Sequence, residues 1–372
     1  MAIEIIGVLN TNIKQANIFL ISNTLQLINA IEARNTFQTK NNILVLLFFG
    51  IKKGNQKKIE EYLYLFPYDQ LIIMDNCVRN NYIELNLELI KTLNTHNYDM
   101  LFTGFFSANI RRILCNLTYK EMYLLDDGTY AYALHNELYN PSYTGKSTLI
   151  RKYSEQKKKK LWKKIRFSLY DTYRRLYFNI YGYKNDFKEM KLNFFTIFPL
   201  KQYNNEKIIN HSFQRIRQLF KNKITISKDA YKESVYFLGQ PLTKLSNVSD
   251  KDYILYIKQI IKFYNTKNLQ LIYIPHPEEN NDVVNILSKL QDTNFKIEYI
   301  NKPFEFHFLE NNLNIISLAS FFSSALFTMK IINPNININS FILPKDKTLP
   351  DNILTVYNFY KQENFSIHQL EY

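Results

Sequence analysis

Residues 121–130 read EMYLLDDGTY, a short apolar run that stops at two adjacent carboxylates, Asp126 and Asp127, with Gly128 behind them. The run has strand length, and acids delivered at the carboxyl end of a strand stand where open α/β sheets place their chemistry. Adjacent carboxylates resist ionising together, so one of them can titrate above the ordinary range. Taken alone, Asp127-Gly128 reads better as an ordinary turn, a common use of Asp-Gly. The rest of the chain decides between the two.

Outward from this stretch, apolar runs alternate with helical patterns. NIFLIS at 17–22 reads as a buried strand, and TLQLINAIEA at 24–33 as a helix with Thr24 as its N-cap. ILVLLFF at 43–49 and QLIIMD at 70–75 are further strands, each followed by a helical pattern, and YDMLFTGFF at 98–106 precedes SANIRRILCNL. A second alternation begins at SVYFLGQPL, 234–242, where the strand ends at Gly239 and Pro241 blocks its extension. It continues through a helix capped by Asp250 and Asp252, the strand LQLIYI ending in PHPEE, the strands KIEYI and NIISL, and a last strand in NININSFIL. Such alternation predicts two parallel sheets wrapped by helices through right-handed crossovers, an α/β fold of two Rossmann-like halves. The expected division is an N-terminal unit over 1–140, a basic aromatic connector over 141–232, a C-terminal unit over 233–345 and a tail over 346–372.

Composition narrows the classes. At 372 residues and 46% hydrophobic content the chain supports sizeable cores. No run approaches the ~18 apolar residues that span a bilayer, and MAIEIIGVLN has no basic region ahead of an apolar core, so a cytoplasmic protein is expected. Two cysteines, Cys77 and Cys115, make no disulfide framework, and six histidines without HxxH or HExxH spacing make no metal site. The net charge of +14 points to a polyanionic partner: nucleic acid, an anionic membrane surface or a phosphorylated substrate.

Much of that charge lies in 151–175, from Arg151 to Arg175, which holds eleven Lys or Arg against two acids, interleaved with Leu161, Trp162, Ile165, Phe167, Leu169 and Tyr170. Such a segment is not expected in a core. It suits a basic amphipathic helix on anionic lipid, a solvated inter-domain helix, or an RNA-binding patch, although no RNA-binding motif accompanies it. TGKST at 144–148 has the end of a phosphate-binding loop but lacks its first glycine, since Asn140 stands there.

Three groups in the second half could carry chemistry. His276 lies between Pro275 and Pro277 at the end of an apolar strand, where it could donate to a phosphate oxygen or simply cap the strand. Ser323 and Ser324 precede a predicted helix, where N–H groups and hydroxyls form an anion site and where serines are also ordinary caps. Glu305, in PFEF and near the end of the preceding strand, could accept the hydroxyls of a ribose or lie on the surface.

Asp-Asp-Gly, then His-Pro, then Ser-Ser, in that order, resembles the motif set of bacterial sialyltransferases of the GT-B type. With TLQLINAIEA, LGQPL and YIPHPEE the chain is most similar to glycosyltransferase family 52, the lipooligosaccharide sialyltransferases; the polysialyltransferases of family 38 share the pattern and are the nearest competitor. The resemblance spans about residues 17–327 and departs at Asn23-Thr24, where relatives often carry Thr-Pro. It implies a GT-B architecture, two Rossmann-like domains with parallel sheets facing a central cleft. It also implies transfer of sialic acid, with inversion, from CMP-sialic acid to a galactoside or sialoside of lipooligosaccharide or capsule, with no metal or other cofactor. Asp126 or Asp127 would be the base and His276 the group at the leaving phosphate. Ser323 and Ser324 would bind that phosphate, Glu305 the ribose, and Gly239 and Pro277 would lie on the nucleotide-sugar side. In some members the base is an acid upstream of His-Pro, so Asp250 and Asp252 stay in reserve. Peripheral attachment to the inner face of a bacterial plasma membrane through 151–175 is expected; the oligomeric state is open, a homodimer included. The rival readings are a transferase for another activated sugar, such as CMP-Kdo or a nucleoside-diphosphate sugar, and a non-catalytic protein that binds RNA or lipid.

Overall fold

The computed structural model describes residues 3–7, 15–49, 53–76, 82–141, 161–185, 191–221, 234–245, 248–311, 313, 315–344 and 351–371. Two compact units divide the chain, Met1–His211 and Ser212–Tyr372.

In the first unit the elements are β1 (Ile3–Ile6), β2 (Ala16–Ile21), α1 (Thr24–Phe37), β3 (Asn42–Phe49), α2 (Lys53–Glu60), β4 (Gln70–Asn76), α3 (Tyr82–Leu93), β5 (Tyr98–Thr103), α4 (Ala108–Leu114), β6 (Tyr119–Leu125), α5 (Tyr130–Tyr139), α6 (Leu161–Ile180), β7 (Asn193–Thr196) and β8 (Ile208–Asn210). They build one sheet in the order β1-β4-β3-β2-β5-β6-β7-β8. Every pairing is parallel except β1 with β4, which is antiparallel. All six residues of β2 are buried, as an inner strand covered on both faces requires. On one face Phe19 stacks on Phe102 with ring centroids 4.5 Å apart, and Phe37 of α1 packs against Phe102 and Tyr123. The other face buries Ile18, Val45 and Leu124 with Leu89, Ile90 and Ile113 of α3 and α4.

The chain runs from β2 out through β3 and β4, then returns to place β5 on the other side of β2. Such a reversal opens a crevice at the carboxyl ends of the two strands, here β2 and β5. The turn after β2 lies there. The N-cap of α1 is Asn23, whose side chain accepts the Gln26 N–H at 2.9 Å, rather than Thr24, which becomes the first helical residue.

The second unit contains α7 (Gln214–Lys221), β9 (Ser234–Leu238), α8 (Leu242–Leu245), α9 (Asp250–Asn265), β10 (Gln270–Ile274), α10 (Asn281–Ser288), β11 (Phe295–Ile297), α11 (Phe304–Asn311), β12 (Ile315–Ser320), α12 (Ala325–Ile332), β13 (Asn337–Ile342), α13 (Asp351–Gln362) and β14 (Ser366–Gln369). Its sheet runs β11-β10-β9-β12-β13-β14 and is parallel throughout. Here the reversal falls between β9 and β12, so the residues after them, Gly239 and Gln240 on one side and 321–324 on the other, border the second crevice. Ser249 caps α9 by accepting the Asp252 N–H; Asp250 and Asp252 stand in the first turn, where the helix dipole favours acids.

Two α/β units with Rossmann-like sheets are therefore present, with boundaries that differ from those read along the sequence. β7 and β8 belong to the first sheet, so that unit runs to His211 rather than ending at 140. The stretch after 346 is not a separate tail: β14 pairs with β13 and closes the second sheet. The helix α6 packs against α3, with Phe178 in the first core and Arg174 buried on Asp171 (2.6 Å) and Asn185 (3.0 Å). Phe178 lies beyond 151–175; of the side chains described within that segment, 169–175, Arg174 alone is buried, while Leu169, Tyr170 and Tyr173 are exposed. Residues 142–160, with TGKST and the lysines 157–160, and the side chains of 161–168 lie outside the described residues.

Candidate active site

The first unit gathers its polar groups at the carboxyl ends of β2, β5, β6 and β7. The strand β6 ends at Leu125, which delivers Asp126 inward and Asp127 to a partly exposed position. Asp126 is 2% exposed. Its Oδ1 accepts from the Thr196 hydroxyl at 2.7 Å and its Oδ2 from the Ile197 N–H at 2.8 Å, which pins the end of β7 beside β6. The His211 ring lies 4.0 Å from Oδ2 and stacks on Phe195, with centroids 4.4 Å apart. Burial pushes this imidazole down to about 3, so it offers no countercharge near neutral pH. Burial also lifts Asp126 to about 7, against the two hydrogen bonds that favour the carboxylate.

Asp127 has different partners. Its Oδ1 accepts from the Asn23 side-chain amide at 2.8 Å, across 104 positions of sequence. Asn23 therefore serves twice, capping α1 through its oxygen and holding Asp127 through its nitrogen. Gln26, fully buried one turn on, accepts the Ser22 N–H at 2.8 Å and donates to the Gly104 carbonyl at 3.3 Å, bridging the ends of β2 and β5. A Cβ on Gly104 would stand 2.2 Å from the Gln26 side chain, so only glycine lets this bridge form. Burial raises the Asp127 carboxyl, and the amides of Asn23 and Gln26 draw it back.

In the second unit His276 follows β10 as the first residue of a tight turn. The Glu279 N–H donates to the His276 carbonyl at 2.9 Å, with Pro277 at the second position, where its fixed φ suits the turn. His276 is exposed. Its Nδ1 accepts the Glu278 N–H at 3.1 Å, which places the proton of the neutral ring on Nε2. The Glu279 side chain lies behind this turn, 8% exposed. Its Oε1 accepts the His276 N–H at 2.7 Å and its Oε2 accepts from Tyr273 at 2.6 Å; Tyr273 bonds Tyr253 at 2.9 Å, and Tyr253 accepts the Gln240 N–H at 3.2 Å. The Gln240 side chain then accepts the Phe322 N–H at 2.8 Å. One buried chain of bonds thus joins the loops after β10, β9 and β12. Burial raises Glu279 to about 7. A Cβ on Gly239 would stand 2.0 Å from Glu279 Oε1, so glycine is required where the backbone crosses this carboxyl.

Ser323 and Ser324 follow β12, half-buried, and Ser324 precedes the first turn of α12 with no side-chain cap bond of its own. The Ser323 carbonyl accepts from Tyr360 at 2.5 Å. Glu305 departs from its expected place: β11 stops at Ile297, and Glu305 lies in the first turn of α11, 5% exposed, with its carboxyl raised by burial. The reserve acid Asp250 is exposed and accepts from Asn280 at 2.8 Å, while Asp252 is partly exposed in the same turn. The residues that sequence reading missed are Asn23, Gln26 and Thr196 in the first unit, and Gln240, Tyr253, Tyr273 and Glu279 in the second.

A family model described as alpha-2,8-polysialyltransferase (POLYST) matches residues 17–341. The chain belongs to the alpha-2,8-polysialyltransferase family. It is accordingly a glycosyltransferase, and of the two families that its motifs resemble, the match is to the polysialyltransferases of family 38 rather than to family 52. No curated protein matches the sequence. Among solved structures, the chain is similar to E. coli heptosyltransferase WaaC with ADP, at 11% identity and TM-score 0.40, over 94% of this chain and 97% of that one. It is also similar to the UDP-GlcNAc 2-epimerase from Methanocaldococcus jannaschii, at 13% identity and TM-score 0.49, over 92% of each. A glycosyl transferase family 9 protein from Veillonella parvula DSM 2008 gives 9% identity and TM-score 0.40, over 90% and 82%.

Proposed function

We propose that this glycosyltransferase moves sialic acid from CMP-sialic acid to a hydroxyl of a sialic acid that already ends a glycan, with inversion at the anomeric carbon. The observation that carries the reading is the family match over residues 17–341, in a chain whose acid pair, His-Pro turn and Ser-Ser step all follow the carboxyl ends of sheet strands. The family's name favours a sialoside over a galactoside as acceptor.

Cleaving the bond from the sugar to CMP builds positive charge on the sugar and negative charge on the leaving phosphate, so donors aimed at that phosphate stabilise the transition state. In this reading the His276 Nε2–H and the hydroxyls and N–H groups at Ser323 and Ser324 are those donors. Asp127 takes the proton from the acceptor hydroxyl. Its partly exposed position and raised carboxyl suit a base near neutral pH, whereas Asp126 has both oxygens engaged and orients the loop. Direct displacement from the face opposite the leaving group gives inversion, as in inverting glycosidases. Glu305 is the ribose ligand, and Gly239 and Pro277 shape the loops around the nucleotide. CMP carries one phosphate, which the histidine and serines neutralise without a metal ion.

The partner surface proposed for α6 is anionic lipid. Leu169, Tyr173, Leu176 and Ile180, spaced to share one face, are 53–68% exposed, and the segment 151–175 is strongly basic. No helix among the described residues is long and apolar enough to cross a membrane.

The test is nucleotide release, read as CMP from CMP-sialic acid or CMP-Kdo and as UDP from UDP-sugars, each donor with a sialoside, a galactoside or no acceptor. Release with CMP-sialic acid that is stimulated by the sialoside is expected. Release confined to another donor would overturn the reading.

A further inference from the structure

The Glu279 carboxyl is buried and sits one hydrogen bond from the backbone of the exposed His276. It binds that residue from two sides: Oε1 accepts the His276 N–H, and the Glu279 N–H donates to the His276 carbonyl. With both of its backbone groups held, His276 has little freedom to turn, and its ring is further fixed by the Glu278 N–H at Nδ1. The other carboxylate oxygen continues through Tyr273, Tyr253 and Gln240 to the Phe322 N–H, immediately before Ser323. A β-turn needs no buried acid to close it, and a core position needs no carboxyl. A carboxyl with one oxygen on the turn and the other on a tyrosine chain has a geometric task.

We propose that Glu279 is the positioning residue of the second unit: it fixes the backbone from which the His276 imidazole projects and, through Tyr273, Tyr253 and Gln240, locks that turn to the Ser323–Ser324 step. The proposal rests on the reading that His276 meets the leaving phosphate. A histidine and two serines that stabilise one phosphate must stay in fixed relation while charge develops, and a displacement of about 1 Å can cost about a hundredfold in rate. Glu279 makes that relation a property of the folded chain before donor arrives. The groups facing it are Tyr273 and Tyr253, both kept neutral by burial, and the His276 turn, whose Glu278 carbonyl accepts from Lys244.

A role in geometry and a role in charge predict different variants. Glutamine keeps an oxygen for the His276 N–H and places an amide donor against Tyr273, whose hydroxyl can then donate to Tyr253. Alanine removes both bonds. The experiment compares E279Q, E279A and Tyr273→Phe with wild type in two measurements. The first is the ¹⁵N spectrum of the His276 imidazole in the donor-free protein, and the second is kcat and KM for CMP-sialic acid. E279Q is expected to keep the Nε2–H tautomer and to stay within about threefold of wild type in kcat. E279A is expected to lose the fixed tautomer and to lose about a hundredfold in kcat with a smaller change in KM. Should E279A not fold, Tyr273→Phe, which frees only one oxygen, is expected to move the His276 signal in the same direction and to lower kcat by about tenfold. A wild-type His276 spectrum and kcat in folded E279A or in Tyr273→Phe would overturn the proposal, as would loss of activity in E279Q equal to that in E279A. Wild-type protein that turns over no CMP-sialic acid would instead overturn the sialyltransferase reading. The imidazole spectrum would still decide whether Glu279 positions His276.

Discussion

Asp126 and Asp127 are neighbours in sequence with opposite surroundings. Asp126 has its two oxygens on Thr196 and Ile197; Asp127 has Asn23 and a partly exposed edge. Asp127→Asn is expected to lower kcat by about 10²–10⁴, the range of a lost general base, while CMP binding and the melting temperature stay near wild type. Transfer within about threefold of wild type would remove Asp127 from the role. Asp126→Ala leaves the Thr196 hydroxyl and Ile197 N–H without their acceptor, so a stability loss of about 1–3 kcal/mol is expected in denaturant unfolding. The carboxyl of Asp126 also gives a pH signature. Its folded value of about 7 lies above the ordinary 3.8, so between these values the folded chain holds a proton that the unfolded chain has released. Its contribution is fully present below the lower value and lost as pH rises through the upper. The melting temperature of wild type should therefore fall from about pH 4 to about pH 7 more steeply than that of Asp126→Asn; equal slopes would show that Asp126 ionises normally. The sequence offered the acid pair but not this division, because Thr196 lies on a strand 70 positions away. Asn23 was visible only as a departure from Thr-Pro. The sequence reading set the cap at Thr24, one residue late; the Gln26 N–H bond to the Asn23 side chain places it at Asn23.

Among elements, strands buried on both faces were legible, since β2, β3, β9 and β10 are nearly continuous apolar runs flanked by helical patterns. The edges were not. β8 has three residues, β14 reads SIHQ, and β1 pairs with its neighbour on one side only; none needs the apolar pattern of an inner strand. Missing β7 and β8 is what moved the expected boundary from His211 to 140. The loops after β9 and β10 show the tightest sequence requirement. Gly239→Ala would set a Cβ against Glu279 and Tyr273, and a stability loss of about 1–3 kcal/mol is expected from the forced shift, read as a lower melting temperature with weaker CMP binding. An unchanged melting temperature would mean that the carboxyl is not held where described. For α6, the double variant Leu176→Glu, Ile180→Glu is expected to reduce co-sedimentation with anionic vesicles, and added salt should weaken the wild-type interaction as it screens the basic segment. Binding that is unaffected by both would count against a lipid-facing α6.

At the scale of the molecule, the chain is a glycosyltransferase of two Rossmann-like units, with the acid pair, the His-Pro turn and the Ser-Ser step after the carboxyl ends of strands of their own unit. The motif order Asp-Asp-Gly, His-Pro, Ser-Ser made the enzyme class readable, since loops after strands carry chemistry whatever the identity of the core. The same motifs could not separate two families that share them, and the ranking between those families is what the match to polysialyltransferases changes. In the proposed reading His276, Ser323 and Ser324 bind the phosphate of a monophosphate donor by hydrogen bonds, so transfer is expected to persist in excess EDTA; abolition by EDTA and recovery with Mg²⁺ would contradict that reading. The central claim is sialyl transfer to a sialoside. Its most direct measurement is the product formed from CMP-sialic acid and a tagged oligosialic acceptor, analysed by mass and by the anomeric configuration of the new bond. The account predicts an acceptor heavier by one or more sialic acid residues, joined through an anomeric centre opposite to that of the donor. An acceptor of unchanged mass beside intact CMP-sialic acid, or a product that keeps the donor's configuration, would contradict it.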